Sequence, residues 1–158
     1  MDKSATAAFV LFFLAVMLGA MALSWWARKK RQSGYAQLEA PPTELGAELG
    51  EFAGLYLATT PAGEPLERIA VRGLGFRART TLRLTEAGLV FIGDRFIPVA
   101  SIVDVGRATW TIDRGVEPDG LSVVSWTLGD AVLDSYFRLD DPEGFLRAGT
   151  ELLKMGKK

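Results

Sequence analysis

The pattern of hydrophobic and polar positions divides the chain into one long apolar block and a series of short alternating segments. The apolar block runs over residues 5–27 and contains no charged residue in 23 positions. A helix rises about 1.5 Å per residue, so a helix of this length covers the roughly 30 Å hydrocarbon core of a bilayer. The pattern therefore predicts a transmembrane helix over residues 5–27.

The residues that close this block support the same interpretation. They are two tryptophans and four cations: Trp25, Trp26, Arg28, Lys29, Lys30 and Arg31. Tryptophan rings favour the headgroup level, and Lys and Arg stay on the cytoplasmic side of a membrane. The N-terminal flank carries only one cation, Lys3, which is offset by Asp2. We therefore expect a single-pass plasma-membrane protein with its N-terminus outside and the rest of the chain in the cytoplasm.

A cleaved signal peptide is the alternative interpretation of the same block. Signal peptides have an apolar core of about 7–15 residues and a cleavage site of small residues. Ala20-Met21-Ala22 could act as such a site. The apolar run is longer than that core, and two tryptophans and four cations follow the site closely. These features favour an uncleaved helix.

Residues 28–50 are predicted to combine a basic juxtamembrane segment with a linker rich in Pro, Gly and Glu. Pro41-Pro42 would stiffen this linker, whereas its glycines would loosen it. A short helix over residues 43–49, with Thr43 as its cap, is an alternative within the segment. A folded domain is expected to follow over residues 51–158.

Short runs of β-forming residues between turn residues predict strands throughout that domain. The predicted strands cover residues 54–60, 66–71, 79–85, 89–92, 95–98, 101–110, 121–128 and 131–139. Gly129-Asp130 separates the last two and is typical of a hairpin turn. Most strands are joined by such short turns, which favours an antiparallel arrangement.

The period of the pattern changes after Leu139, where a helix is predicted. Asp141 suits the cap and Pro142 the first helical position. One helical face is apolar, formed by Phe145, Leu146, Gly149, Leu152 and Leu153. The predicted fold is therefore a mainly-β domain, an antiparallel sandwich or partly open barrel of about seven strands, capped by a C-terminal helix.

This order of elements resembles the pleckstrin-homology (PH) superfold, including its bacterial PH-like members. The resemblance is carried by residues 82–110 and 121–153. More narrowly, the chain resembles an actinobacterial family of small membrane proteins with one N-terminal span and a PH-like domain. The matching words are GLYLATT (54–60), GLGFRAR (73–79), GRATWTIDRGVEPDG (106–120) and DSYFRL (134–139). The resemblance implies an architecture rather than an activity, because the family's biochemical function is unassigned.

Composition excludes several classes of chemistry. The chain has no Cys and no His, which excludes disulfides, thiolate zinc sites, imidazole ligands, cysteine nucleophiles and Ser-His-Asp triads. A net charge of −1 does not favour nucleic acid as a partner. Asp113, Glu117 and Asp119 lack the spacing of an EF-hand loop and are interpreted as turn residues. We expect no enzymatic activity, no metal and no cofactor.

Arginines are concentrated in one stretch of the predicted domain. Five lie within sixteen residues: Arg68, Arg72, Arg77, Arg79 and Arg83. Basic residues near an early hairpin hold inositol phosphates in eukaryotic PH domains, so the resemblance implies contact with lipid head groups. Arg77, Arg79 and Arg83 would share one face of an extended segment. The alternative interpretation of these arginines is a strand face in contact with solvent. Together with Arg72, the three arginines are the candidate residues for binding a lipid or a partner.

Gly73-Leu-Gly-Phe76 has the letters of the loop with which PDZ domains bind a peptide carboxylate. PDZ domains place a helix before their last strand, and no helical period is found between Arg77 and Leu139. A plain glycine turn is therefore the favoured interpretation. Trp110 is expected in the core, or in an interaction patch if it is exposed.

Together these features predict a membrane-anchored, non-catalytic binding or adaptor domain, an accessory or scaffold protein at the cytoplasmic face of the membrane. Its expected partners are the lipid bilayer and a protein or membrane complex. Anionic lipid head groups are the alternative ligand, and a PDZ-type peptide is a further one. Nucleic acid is not expected.

Overall fold

An N-terminal helix, α1 (Lys3–Arg31), precedes a seven-stranded antiparallel sheet in this computed structural model, which describes residues 3–108 and 120–156. The chain forms two compact units, Met1–Gly34 and Tyr35–Lys158. In the first unit, a short 3₁₀ turn, Gln32–Gly34, follows α1.

No side chain of α1 is buried. Within the described residues, one helix is long and apolar enough to cross a membrane, and an N-terminal signal sequence meets the same criterion. The helix extends through all four cations that follow the apolar block. The long apolar helix predicted from the sequence is thus present.

The second unit contains seven strands and a helix. They are β1 (Glu48–Pro61), β2 (Ala78–Thr85), β3 (Gly88–Phe91), β4 (Arg95–Pro98), β5 (Ile102–Ala108), β6 (Leu121–Leu128), β7 (Ala131–Leu139) and α2 (Pro142–Gly156). The strand order in the sheet is β4-β3-β2-β1-β7-β6-β5, and every pairing is antiparallel. The predicted fold class, including the hairpin at Gly129-Asp130 and the C-terminal helix, is confirmed.

Strand β1 holds the sheet together because its two halves have different partners. Residues Glu48 to Tyr56 pair with β2, whereas Gly54 to Pro61 pair with β7. A bulge lies between Tyr56 and Ala58 in the pairing with β7, and such irregularities bend a strand and increase its twist. Since β4 and β5 stay at the two edges, the sheet is open rather than closed.

The core lies between the inner face of the sheet and α2. The ring of Phe52 on β1 packs edge-on against Phe145 of α2, with centroids 5.4 Å apart. Gly149 allows α2 to approach β5 closely, because a Cβ placed there would lie 2.7 Å from Val105 Cγ1. Leu152 is fully buried on the same helical face.

Residues 62–77 form turns and irregular backbone rather than the strand predicted over residues 66–71, so that prediction was wrong. Ile69 supplied the apolar signal, and it is buried in the core from an irregular segment. Its backbone N–H donates to the carbonyl oxygen of Thr59 at 2.8 Å, which holds the segment against the end of β1. Arg72 and Gly73 then adopt positive φ angles of 58° and 74°, which a strand does not accommodate.

Part of the segment predicted as a linker packs against the core of the domain. Tyr35 and Leu38 pack on the core although the sequence places them before the expected boundary at residue 51. The short helix considered for residues 43–49 is not formed, because Gly46 has a φ of 72° and β1 begins at Glu48. Strand β5 occupies the described part of the strand predicted over 101–110.

Candidate functional site

Alternation along β2 separates its arginines from the core. Leu82 and Leu84 point inward and are buried, whereas Arg79 and Arg83 are exposed on the outer face of the sheet. In the part of the chain that the structure describes, neither guanidinium has a hydrogen bond or an ion pair. Arg77 is also exposed, but it precedes β2 and lies outside the paired strand. The outward face predicted for this stretch is therefore present for Arg79 and Arg83.

The strand register places a third arginine beside this face. Leu55 of β1 is paired with Arg79 of β2 on one side and with Arg138 of β7 on the other. Arg79, Leu55 and Arg138 thus form one row across three strands. A groove of about 530 Å³ lies over this row. Arg138 was not among the residues predicted from the sequence, although a charged residue between the apolar Phe137 and Leu139 is an alternation signal for an outward-facing strand position.

Arg83 has a different electrostatic setting from Arg79. Its partner on β1 is Glu51, an exposed carboxylate, whereas the partner of Arg79 is the apolar Leu55. Opposite charges facing each other across two strands stabilise a sheet modestly. The Arg83 position is therefore partly neutralised by its neighbour, and the Arg79 position is not.

Arg72 lies in the loop between β1 and β2 and is directed toward the domain's own first residue. Its Nη2 and Nε donate to the carbonyl oxygen of Tyr35 at 2.7 and 3.2 Å. Nε of Arg95 in turn donates to the carbonyl oxygen of Arg72 at 3.3 Å. These contacts favour a structural role for Arg72, which fastens the start of the domain to this loop.

A chain of buried hydrogen bonds connects that loop to the sheet. The Tyr56 hydroxyl donates to the carbonyl oxygen of Leu74 at 2.9 Å, because a carbonyl can only accept. Its single proton is then used, so Thr59 donates to Tyr56 at 2.8 Å and Ser135 donates to Thr59 at 2.7 Å. The indole Nε1 of Trp126 donates to Ser135 at 3.0 Å. All four hydrogen bonds are therefore donated in the same direction, from β6 toward the loop.

The Gly73-to-Phe76 segment is held from within. Leu74 is fully buried, and its N–H donates to the carbonyl oxygen of Val71 at 3.1 Å. The carbonyl oxygen of Gly75 accepts from Arg68 at 3.2 Å. These internal partners favour a structural turn, and the PDZ-type peptide site stays a prediction that this geometry does not favour.

Two apolar side chains on the same loop are exposed. Leu66 and Phe76 each have 79% of their surface exposed. Arg68 lies two residues after Leu66, and it donates to the carbonyl oxygen of Gly75, the residue directly before Phe76. An exposed apolar residue alone needs no explanation. Here Phe76 directly precedes the exposed Arg77, a combination of apolar and basic groups that suits a membrane surface.

Burial raises the pKa of three tyrosines of the domain. It raises the pKa of Tyr56 to about 12, and the hydrogen bond from Thr59 opposes this shift. It also raises the pKa of Tyr35, with smaller contributions from the carboxylates of Glu67 and Glu64, and the pKa of Tyr136. All three hydroxyls therefore stay neutral at physiological pH, and none is poised for acid–base chemistry.

The anchor residues of α1 contact one another along the helix. Lys29 Nζ lies 4.1 Å from the centroid of the Trp25 ring, and Lys30 Nζ lies 5.3 Å from that of Trp26. The spacing of four residues brings each pair to one helical face, and ammonium groups over indole rings are attracted to them. These two pairs were not predicted as contacts from the sequence.

Several predicted positions lie outside the described residues, namely Trp110 and the loop acids Asp113, Glu117 and Asp119. Among the residues that the structure describes, no group of three or more Asp and Glu side chains could hold a metal ion.

The second unit of the chain is similar to a known protein family. Residues 35–149, most of the chain, match the family described as bacterial PH domain-like. The matched range begins where the second compact unit begins. No curated protein matches the chain.

Proposed function

Since the chain belongs to the bacterial PH domain-like family, we propose that it is a membrane-anchored, non-catalytic binding or adaptor protein. PH-like domains are in general binding modules for lipids or proteins. The observation that carries the proposal is α1, a long apolar helix with no buried side chain that ends in four cations. Only three residues separate its last residue, Arg31, from the first residue of the domain, Tyr35. The domain is thereby kept close to the bilayer surface.

The proposed location is the cytoplasmic face of the plasma membrane. Arg28 to Arg31 favour the cytoplasmic side, since Lys and Arg next to a span resist translocation. The contacts of Lys29 and Lys30 with the two tryptophan rings keep indole and ammonium groups together at the level of the head groups. The helix serves as an uncleaved anchor in this proposal.

A protein or membrane complex is the proposed partner of the domain, with this chain as an accessory or scaffold subunit. Co-purification of the full chain in mild detergent tests this role. We expect a membrane protein at a fixed stoichiometry with the tagged chain. Its absence in mild detergent and after cross-linking in membranes would contradict the accessory role.

A second candidate function is binding of anionic lipid through Arg77, Arg79 and Arg83. The specific observation is that the side chains of Arg79 and Arg83 are exposed and make no hydrogen bond or ion pair with another described residue. A cation near an anionic surface contributes about 1 kcal/mol, so three together change binding by roughly a hundredfold or more.

Co-flotation tests the lipid candidate. The full chain in nanodiscs of phosphatidylcholine is mixed with vesicles that contain phosphatidylglycerol. Wild type is expected to float with these vesicles at low salt, and the combined variant Arg77→Ala, Arg79→Ala, Arg83→Ala is not. Arg147→Ala is the control, because it removes a basic residue from an exposed face of α2. Equal flotation of wild type and the triple variant would exclude these three residues as the lipid contact.

A further inference from the structure

The groove on the outer face of the sheet is built on the three central strands β2, β1 and β7. Its side chains from the outer face are those of Ala53, Leu55, Arg79, Thr81, Arg138 and Asp140. In the seven-stranded order each of these strands has a neighbour on both sides. At the groove, Leu55 pairs with both Arg79 and Arg138, whereas the pairing of β2 with β3 begins only at Arg83 and that of β7 with β6 stops at Phe137. The floor of the groove is therefore a three-stranded part of the sheet centred on β1.

Two arginines face each other across this floor. Arg79 and Arg138 lie on either side of Leu55 in the same row. Neighbouring strands are about 4.8 Å apart, so the Cα atoms of the two arginines are about 10 Å apart. Long side chains from both sides can meet over Leu55 at that separation. The aliphatic stems of two arginines at this separation can cover an apolar residue between them while their guanidinium groups stay in water.

The two guanidinium groups have no internal partner. In the described part of the chain, neither Arg79 nor Arg138 takes part in a hydrogen bond or an ion pair. A guanidinium group presents a planar fork of N–H donors that matches the oxygens of a phosphate. The hydroxyl of Thr81, exposed one row further along β2, is an additional donor at the rim.

One carboxylate also borders the groove. Asp140 follows β7, and its backbone N–H donates to the carbonyl oxygen of Ala53 at 3.0 Å. Its side chain is exposed at the rim. The groove thus carries two cations and one anion. A ligand with a single phosphate group would be attracted by the two arginines and weakly repelled by Asp140. Removal of either arginine should therefore weaken binding, whereas removal of the Asp140 charge should strengthen it.

We propose that this groove binds a phosphate group, carried either by a lipid head group or by a soluble molecule. The inference rests on the proposed binding function and names its chemistry. It differs from the arginine set read from the sequence, because it pairs Arg79 with Arg138 of β7 and leaves out Arg83, which faces Glu51. The volume of about 530 Å³ lies in the range of small-molecule sites.

Calorimetric titration with inorganic phosphate tests the site. The full chain is held in nanodiscs of phosphatidylcholine, and chloride keeps the ionic strength constant. We expect saturable binding that Arg79→Gln and Arg138→Gln each weaken about tenfold. Arg147→Gln, on an exposed face of α2 and outside the groove, is the control for the loss of one positive charge, and it should change affinity less than twofold. Asp140→Asn should strengthen binding several-fold, because it removes a repelling charge.

A second titration distinguishes the two sources of phosphate. The nanodiscs contain either phosphatidylglycerol or a fatty acid, at the same surface charge. If a lipid head group occupies the groove, phosphatidylglycerol weakens the binding of free phosphate more than the fatty acid does. If the natural ligand is soluble, the two kinds of nanodisc give the same affinity. Both outcomes agree with a phosphate site and differ in its occupant.

Two results would overturn the inference. One is the absence of phosphate binding at 10 mM by protein whose near-ultraviolet circular dichroism shows a folded domain. The other is equal weakening by Arg79→Gln and Arg147→Gln, which would indicate a diffuse effect of surface charge. A stoichiometric partner found by co-purification alongside either result would leave the proposed adaptor function standing while the phosphate site fails.

Discussion

At the scale of single residues, the hydrogen-bond chain from Trp126 to Leu74 has the clearest physical consequence. Each hydroxyl in it is both donor and acceptor, so the removal of one member leaves its neighbours unsatisfied in the core. Tyr56 is the member that ionises, and burial raises its pKa to about 12. A buried donor that must stay protonated makes the domain sensitive to alkaline pH.

The first prediction follows from the ionisation of Tyr56. The unfolded chain loses this proton near pH 10 and the folded chain near pH 12, so the unfolded state binds fewer protons in between. The stabilising effect of the neutral tyrosine is complete below pH 10 and is lost as pH rises toward 12. A shift of about two pKa units corresponds to about 3 kcal/mol. Urea unfolding of the full chain in mild detergent, followed by near-ultraviolet circular dichroism, measures this loss.

Tyr56→Phe is the matched variant for that experiment. It removes the bond to the Leu74 carbonyl oxygen and should destabilise the domain by about 1–3 kcal/mol at pH 8. The difference from wild type should shrink as pH rises from 10 to 12, because only wild type has this group to ionise. Two stability curves that stay parallel over that range would contradict the assignment.

At the scale of elements, α2 shows what a pattern along the chain can predict. Its apolar face, its cap and its first residue were all predicted, and Asp141 Oδ1 accepts from the N–H of Gly144 at 2.9 Å. The loop over residues 62–77 shows the opposite. Ile69 looks like a strand residue by type, but its position is decided by its burial in the core and by a hydrogen bond to Thr59 at the end of β1.

The second prediction concerns the buried face of α2. Leu152 is fully buried, so Leu152→Ala should destabilise the domain by about 2–5 kcal/mol. Leu153 packs only partly against the core, and Leu153→Ala should cost less. Urea unfolding of the full chain measures both. An unchanged midpoint for Leu152→Ala would show that this face is not part of the core.

The third prediction concerns the close approach of α2 to β5. Gly149→Ala would place a methyl group 2.7 Å from Val105 Cγ1, so it should destabilise by about 1–3 kcal/mol despite the better helix propensity of alanine. Val105→Ala removes the obstacle. The double variant Val105→Ala, Gly149→Ala should therefore be more stable than the sum of the two single effects predicts. Strict additivity would argue against the contact.

At the scale of the whole molecule, local signals identified the long helix, the strands and the C-terminal helix. They did not identify which strands become neighbours. Arg138 joins Arg79 only because β1 pairs with β2 through one half and with β7 through the other. Arg72 likewise proved to bind the carbonyl oxygen of Tyr35, a residue 37 positions away. Pairings of this kind depend on the complete packed domain, and no short stretch of sequence encodes them.

In the proposed arrangement, an uncleaved N-terminal helix holds a binding domain at the cytoplasmic face of the membrane. The most direct test is a pair of fusions after Lys158, one reporter active only outside the membrane and one fluorescent only inside. We predict a silent outer reporter, a fluorescent inner one and a full-length membrane-bound chain. An active outer reporter on a chain shortened near Ala22 would contradict the claim, because it would place the domain outside and the helix in a cleaved signal peptide.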